Sequence, residues 1–269
     1  MEKMLKDQVA IVAGATSGIG EAVAKLYAQE GAAVIIGGRS ENKGNRIVEE
    51  ITAAGGTARY YGSMDISKQE DIDAMVDKTL DEFGKIDILG VFAGQTFDGA
   101  DMDPADAYRK TMDVNMDGTY NLVFKVIPHM KERKSGKVII CSSNGAFNPT
   151  TPAYSYHMAK AACESLTVNL AMECAPLGIR VNCIKPGPIM TPFWDELDAD
   201  GSKREALFAG IASTEVPLAR MGTPEDVAGP ALFFASELSA YVTGLCLYVA
   251  GGMGYVYAHG QSFILRNLK

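Results

Sequence analysis

Apolar residues in this chain gather in seven short runs, and between them hydrophobic positions recur about every three or four residues. The runs cover residues 9–13, 33–37, 57–61, 86–92, 137–141, 180–184 and 245–249. Short and rich in β-branched residues, they read as buried strands. After the first run Ile19, Val23, Leu26 and Tyr27 share one helical face; further on Ile72, Met75, Val76, Thr79, Leu80 and Phe83 share another. Two helix starts carry chemical markers. Ser67 with Glu70 has the spacing of a capping box, and Thr223-Pro224-Glu225-Asp226 offers a cap, a proline at the first helical position and acids in the first turn. Strands alternating with helices predict an α/β fold, a doubly wound parallel seven-stranded sheet in a single Rossmann-type domain.

The first strand runs directly into Gly14-Ala15-Thr16-Ser17-Gly18-Ile19-Gly20, which opens the first helix. Gly14 permits a sharp turn, and Gly18 and Gly20 let backbone N–H groups and the positive helix end meet a pyrophosphate. The spacing is G-x-x-x-G-x-G rather than G-x-G-x-x-G. Glycines also serve strand-to-helix turns for geometry alone, so the segment by itself leaves a dinucleotide site and a plain turn both open.

The 269 residues contain no internal repeat and no Pro/Ser-rich linker, so one domain over 1–269 is expected. Apolar residues at 47% suffice for a large core, and 22% charged residues leave an ordinary polar surface. Residues 1–6 lack an apolar stretch and no apolar run reaches about eighteen residues, so neither a signal peptide nor a membrane span is expected and the cytoplasm is the default location. Cys141, Cys163, Cys174, Cys183 and Cys246 are odd in number without C-x-x-C pairing, which suits free thiols in a core. A net charge of −8 argues against nucleic-acid and anionic-membrane partners. The basic residues Lys125, Lys131, Arg133, Lys134 and Lys137 fit the solvated end of a helix, where cations suit the negative pole. No metal site is expected.

The candidate chemistry lies downstream. Tyr156 and Lys160 form Tyr-x-x-x-Lys, with Ser143 thirteen residues before the tyrosine. A tyrosine and a lysine four apart on a helix are ordinary surface neighbours. The same spacing lets an ammonium approach a phenol from the next turn and lower its pKa from about 10, as an acid/base near neutrality requires. Tyr154 is a competitor, but four residues after it stands the uncharged Met158, so lining a pocket or packing suits it better. His157 is expected at the surface or a subunit contact, and His129 at a helix end.

From the glycine turn through Asp65-Ile66, Phe92-Ala93-Gly94, Asn115, Ser143, Tyr156, Lys160 and Pro186-Gly187 to Gly251-Gly252, the chain resembles the short-chain dehydrogenase/reductase family over nearly its whole length. The resemblance implies an alcohol dehydrogenase or ketone reductase using a nicotinamide coenzyme. Tyr156 would be its acid/base, Lys160 would also hold the nicotinamide ribose, Ser143 would hydrogen-bond the substrate oxygen, and Asn115 would fix a water linking Lys160 to solvent. Gly14, Ser17, Gly18, Ile19, Gly20, Ala93 and Gly94 would contact the coenzyme, Asp65 and Ile66 would flank its adenine, and Pro186, Gly187, Ile189 and Thr191 would cover its nicotinamide amide. Where NAD-preferring members carry an aspartate, this chain has Gly38, followed by Arg39-Ser40. A guanidinium and a hydroxyl suit a 2′-phosphate, so NADP(H) is the expected coenzyme and NAD(H) the alternative. Two departures from the family pattern, Ala13 for threonine and Val91-Phe92-Ala93-Gly94 for Asn-Asn-Ala-Gly, remove polar groups near the coenzyme. The resemblance also implies a homotetramer or homodimer, and a 156–177 segment apolar on more than one face fits a helix buried on both sides.

The resemblance implies a small-molecule alcohol or ketone as substrate. A lid is expected over about 189–220, with Ile189, Met190, Phe193, Trp194, Leu197, Leu207 and Phe208 suited to a broad apolar ligand. Past Gly251-Gly252 a tail of residues 253–269 carries Tyr255, Tyr257, His259, Phe263 and Leu265, groups that would dock on a substrate pocket or a neighbouring subunit. This tail and its Tyr-Val-Thr-Gly…Val-Ala-Gly-Gly lead-in resemble bacterial hydroxysteroid dehydrogenases that act on bile acids. The expected substrate is therefore a hydroxysteroid or another bulky alicyclic alcohol. A 3-oxoacyl-[acyl-carrier-protein] reductase is the enzymatic alternative, and a dinucleotide-binding regulator that kept the fold without catalysis is the non-enzymatic one.

Overall fold

The computed structural model describes residues 3–149, 152–196 and 203–254. Seven parallel strands lie in the order β3-β2-β1-β4-β5-β6-β7. They are β1 (Val9–Ala13), β2 (Ala33–Gly37), β3 (Thr57–Arg59), β4 (Ile88–Val91), β5 (Gly136–Cys141), β6 (Ile179–Pro186) and β7 (Cys246–Val249). The intervening helices are α1 (Gly18–Gln29), α2 (Glu41–Ala53), α3 (Gln69–Phe83), α4 (Pro104–Met112), α5 (Gly118–Arg133), α6 (Tyr154–Cys174), α7 (Arg204–Thr214) and α8 (Pro224–Ala235).

Period-two alternation divides each strand between two cores. Ile11, Ala13, Ile35, Leu89, Val91, Val138, Ile140 and Val181 enter one with α3, α5 and α6; Ala10, Val12, Val34, Ile36, Ile88, Ile139 and Ile184 enter the other with α1, α2 and α8. Tyr27 ties α1 to α8 by donating to the Ala231 carbonyl at 2.9 Å, and burial pushes its phenol far above the usual tyrosine range. Strand order reverses at β1, whose neighbours are β2 and β4, so a crevice opens at the carboxyl ends of β1 and β4.

Local signals and the fold disagree at a few places. The Ser67 hydroxyl donates to Asp65 at 2.8 Å instead of capping α3, which begins at Gln69 after an uncapped Lys68. The third strand ends at Arg59 rather than residue 61, because the next two tyrosines bond away from the ladder, Tyr60 to the Gly38 carbonyl and Tyr61 to Glu82. The expected capping box at Thr223 and Asp226 is present. All five cysteines are free thiols. Lys125, Lys131 and Arg133 pair with acids on neighbouring elements rather than facing solvent alone.

Candidate functional site

The glycine turn sits at the β1/β4 crevice with its backbone pressed against neighbours. Gly14 has φ +82°, and a Cβ there would meet the Ala93 nitrogen at 2.4 Å. At Gly20 a Cβ would meet the Gly14 carbonyl oxygen at 2.2 Å. The departure at the strand ends is apolar packing: Ala13 is fully buried and Phe92 packs against the core on the α1 side. Across the crevice, Thr191 approaches the Cβ position of Gly18 to 3.1 Å. Its segment is anchored by Gly187 N–H to the Val249 carbonyl at 3.0 Å and by reciprocal bonds of Pro188 and Met190 with Gly222. Gly14, Gly18, Gly20, Ala93 and Thr191 are thus brought together, with Ser17 and Ile19 in the same turn and Gly187 on the segment that carries Thr191, while Ile189 is buried in the core. Free N–H groups at a helix start, with glycines where side chains would intrude, fit the pyrophosphate of a dinucleotide.

One end of this crevice is formed by the loops after β2 and β3. Gly38 is buried against Thr16, whose methyl would lie 2.5 Å from a Cβ at 38. Arg39 is exposed and donates to Gln95 Oε1 at 3.1 Å; Ser40 precedes α2. The 63–65 loop is bound alongside through Met64 N–H to the Gly38 carbonyl and the Ser63 hydroxyl to the Arg39 carbonyl. Burial opposes ionisation of Asp65, but bonds from Ser67 and the charges of Arg39 and Lys68 hold its carboxyl below the usual range. Ile66 is buried beside Gly118.

At the other end stand Ser143, Tyr156, Lys160 and Asn115. Lys160 is 3% exposed and donates to the Cys141 carbonyl at 2.9 Å. Its ammonium is 5.6 Å from the centre of the Tyr156 ring. Burial pushes the Tyr156 phenol above its ordinary value, opposed by the Lys160 charge and a hydrogen bond with Ser143. Burial also disfavours the Lys160 ammonium, yet the Tyr156 phenol and neighbouring thiols outweigh it and raise its pKa. Ser143 Oγ accepts from the Gly145 N–H at 3.1 Å, which leaves its own proton to donate. Asn115 is fully buried in a π-helical turn (Asp113–Asp117) between α4 and α5. Its amide donates to the Gln95 and Thr111 carbonyls at 2.5 and 2.8 Å, while its Oδ1 accepts from the Gln95 N–H. A Cβ on Gly94 would sit 3.0 Å from Asn115 and 3.1 Å from the Lys160 ammonium, so Gly94 keeps this corner open.

The segment expected as a lid contains a 3₁₀ turn (Pro192–Glu196) whose Phe193 ring lies 5.6 Å from that of Tyr156. Trp194 is held by donation to the Ile189 carbonyl at 2.7 Å and by an edge contact with Phe208. Leu197 and residues 255–269 of the tail lie outside the described residues. Gly254 lies beside Asn144 and Asn148, in the loop that follows Ser143. Tyr154, the first residue of α6, is 72% exposed. His157, expected at the surface or a subunit contact, is half-buried within its own chain: its ring covers Gly145 and meets Tyr156 edge-on, and burial lowers its pKa. His129 accepts the Ile86 N–H at the far end of α5.

Two features carry no local sequence signal, because each joins elements far apart in the chain. Asp98, in the loop after β4, binds the start of α6. Behind Ser143, Glu164 pairs with Lys185 at 2.8 Å and accepts from Ser142, while Tyr248 faces the Lys185 ammonium at 4.0 Å. Among the described residues no helix is long and apolar enough to cross a membrane.

The family model described as enoyl-(acyl carrier protein) reductase matches residues 14–254. The chain is 35% identical over 260 residues to dehydrogenase/reductase SDR family member 4 of Sus scrofa, covering 93% of this chain and 88% of that protein. It is 38% identical over 256 residues to 3-oxoacyl-[acyl-carrier-protein] reductase FabG of Chlamydia pneumoniae, covering 95% of this chain and all of that one. Among solved structures, 7α-hydroxysteroid dehydrogenase complexed with NADH and 7-oxo glycochenodeoxycholic acid superposes with a TM-score of 0.83 at 31% identity, over 94% of this chain and 96% of that one.

Proposed function

The chain belongs to the short-chain dehydrogenase/reductase family of NAD(P)-dependent oxidoreductases, and on that premise we propose that it interconverts a bulky secondary alcohol and its ketone with NADP(H). The observation that carries the chemistry is the convergence of Tyr156, Lys160 and Ser143 at the carboxyl edge of β5, across from the glycine turn. A bound nicotinamide coenzyme accepts the hydride in oxidation and donates it in reduction. The protein's part is the proton. In oxidation the Tyr156 oxygen takes the hydroxyl proton of the substrate; in reduction it returns that proton to the carbonyl oxygen. Ser143 donates a hydrogen bond to the same oxygen, and the Lys160 ammonium stabilises the phenolate that takes the proton in oxidation and is left behind in reduction. Asn115 holds the 94–95 backbone beside Lys160; a water against it would connect Lys160 to solvent.

Coenzyme choice rests on Gly38, Arg39 and Ser40. No carboxylate stands at the end of β2, and the Arg39 guanidinium donates to a neutral amide, that of Gln95. Exchanging that partner for a 2′-phosphate gives a charge-assisted contact of about 1.5–3 kcal/mol, enough for at least about tenfold preference over NADH.

The hydroxysteroid reading is supported by the aromatic lid of Phe193, Trp194 and Phe208 over Tyr156, by the tail beginning beside Asn144, and by the superposition on a bile-acid dehydrogenase. The second reading, a 3-oxoacyl-[acyl-carrier-protein] reductase, is supported by the FabG relative. In the hydroxysteroid reading residues 1–269 form one domain, with the lid near 189–220 and the tail 253–269 bordering the pocket. Tyr120 and Phe124 on α5, with Met158, Val168 and Met172 on α6, form an exposed apolar face suited to a homodimer or homotetramer. A turnover screen with hydroxysteroids, alicyclic alcohols and acetoacetyl thioesters, each with both coenzymes, tests these assignments. Preference for acetoacetyl thioesters selects the second reading; coenzyme binding without turnover of any substrate selects a regulator.

A further inference from the structure

Helix α6 carries both Tyr156 and Lys160, yet it has no cap of its own: Ala153 precedes it and offers no side-chain acceptor. Its first donors are satisfied from another part of the chain. Asp98 Oδ1 accepts from the Ser155 hydroxyl at 2.7 Å and from the Ser155 N–H at 3.3 Å, while Oδ2 accepts from the Tyr156 N–H at 3.0 Å. Thr96 donates to Oδ2 at 3.2 Å and thereby sets the carboxylate plane. Burial works against this charge, but the four hydrogen bonds outweigh it and hold the carboxyl below the usual carboxylate range.

The loop that presents Asp98 is the one that borders the site. It begins at Gly94, against Lys160 and Asn115, and continues through Gln95, held at both backbone groups by Asn115. Phe97 N–H then bonds Thr111 Oγ1 at 3.1 Å, so the loop is fixed to α4 immediately before Asp98. One carboxylate thus joins this wall to the backbone of Tyr156. Because Tyr156 lies in the first turn of α6, where helices fray, the hydrogen bond to its own N–H fixes where its phenol stands.

We propose that Asp98 is a positioning residue for the reaction, holding the first turn of α6 so that the Tyr156 oxygen stays aligned with Lys160 and Ser143. Both carboxylate oxygens are occupied by these bonds, so Asp98 acts through Tyr156 and not on the substrate. The inference rests on Tyr156 being the acid/base. Misplacement of a reacting group by about 1 Å costs on the order of 100-fold in rate.

The test is steady-state kinetics of the full chain in four backgrounds: parent, Asp98→Ala, Tyr156→Phe and the double variant, with coenzyme affinity measured for each. Asp98→Ala is expected to lower kcat by about 100-fold while coenzyme Kd and substrate KM stay within about twofold. Asp98→Asn, which keeps one acceptor oxygen, should fall between the two, about three- to tenfold below the parent. In the Tyr156→Phe background, whose slow residual turnover is read at high enzyme concentration, Asp98→Ala should cost no further rate, because the group it aligns has gone. A kcat unchanged by Asp98→Ala, or an equal loss with and without the phenol, overturns the positioning role. If Asp98→Ala does not fold, Asp98→Asn carries the same comparison, and parental kcat in Asp98→Asn overturns it. Retention of more than a tenth of parental activity by Tyr156→Phe instead removes the acid/base reading itself, a separate outcome.

Discussion

The Lys160 ammonium lies 5.6 Å from the Tyr156 ring centre while donating a 2.9 Å hydrogen bond to the Cys141 carbonyl. That bond fixes a flexible side chain to the end of β5, so the charge that favours the phenolate stays in place without the substrate. The two residues therefore separate on mutation. Tyr156→Phe should keep coenzyme affinity within about twofold and lose nearly all turnover. Lys160→Ala should lose both, and leaving the Cys141 carbonyl unpaired should also cost about 1–3 kcal/mol of stability. Isothermal titration with coenzyme, beside turnover, checks the pair; equal coenzyme affinities in the two variants would contradict the assignment.

Gly38 and Thr16 set a limit on changing coenzyme choice. A Cβ at Gly38 would lie 2.5 Å from the Thr16 methyl and 2.6 Å from its hydroxyl. Gly38→Asp alone is thus expected to lose about 1–3 kcal/mol by overpacking. With Thr16→Ala beside it, the aspartate fits and NADH should overtake NADPH in kcat/KM. Melting temperatures show the first effect and coenzyme kinetics the second; a Gly38→Asp variant as stable as the parent refutes the steric account.

Acid should act on Asp87. Its carboxylate accepts from the Val9 N–H at 2.9 Å and pairs with Lys85 and Arg133 at 2.9 and 2.8 Å. Burial raises its pKa, but these bonds outweigh it and hold the carboxyl below the ordinary range. A carboxyl depressed on folding stabilises the native state above its unfolded pKa of about 3.9, and that contribution disappears as pH falls through the lower folded value. Asp87→Asn should therefore cost about 1.5–3 kcal/mol at pH 7 and progressively less as the pH falls below about 3.9. Urea unfolding of both proteins across that range measures it; a pH-independent difference speaks against this linkage.

Glu164 and Lys185 form a pair almost closed to solvent, with side chains 11% and 4% exposed. Removing one charge strands the other, so Glu164→Gln should destabilise by about 3–5 kcal/mol. Glu164→Leu combined with Lys185→Met replaces both charges with apolar groups and should recover most of that loss. Denaturant midpoints decide the matter: a double variant no more stable than Glu164→Gln would mean the pair is not an isolated desolvated unit.

Much of the fold is written in local patterns along the chain. The first two strands have the bounds their apolar runs predict, because a parallel strand covered on both faces has no polar side to blur its ends. The glycine turn is legible because its demands are local: backbone at positive φ, close approach, a helix start. Tyr156 and Lys160 are legible because four residues make about one helical turn.

Tertiary structure decided the rest. Ser67 has the spacing of a cap but serves as a partner of Asp65. The carboxylate that does bind the start of α6 comes from Asp98, 57 residues before Ser155. Arg39 meets Gln95 across 56 residues, and Glu164 finds Lys185 across 21. Periodicity records which face of an element leaves water, and that is a property of neighbouring residues. Which polar groups meet across the crevice depends on strand order, with β4 placed beside β1 and the loop after it turned toward α6. Hydrogen bonds act over about 3 Å, so until the sheet order brings those loops together, no spacing along the chain can announce them.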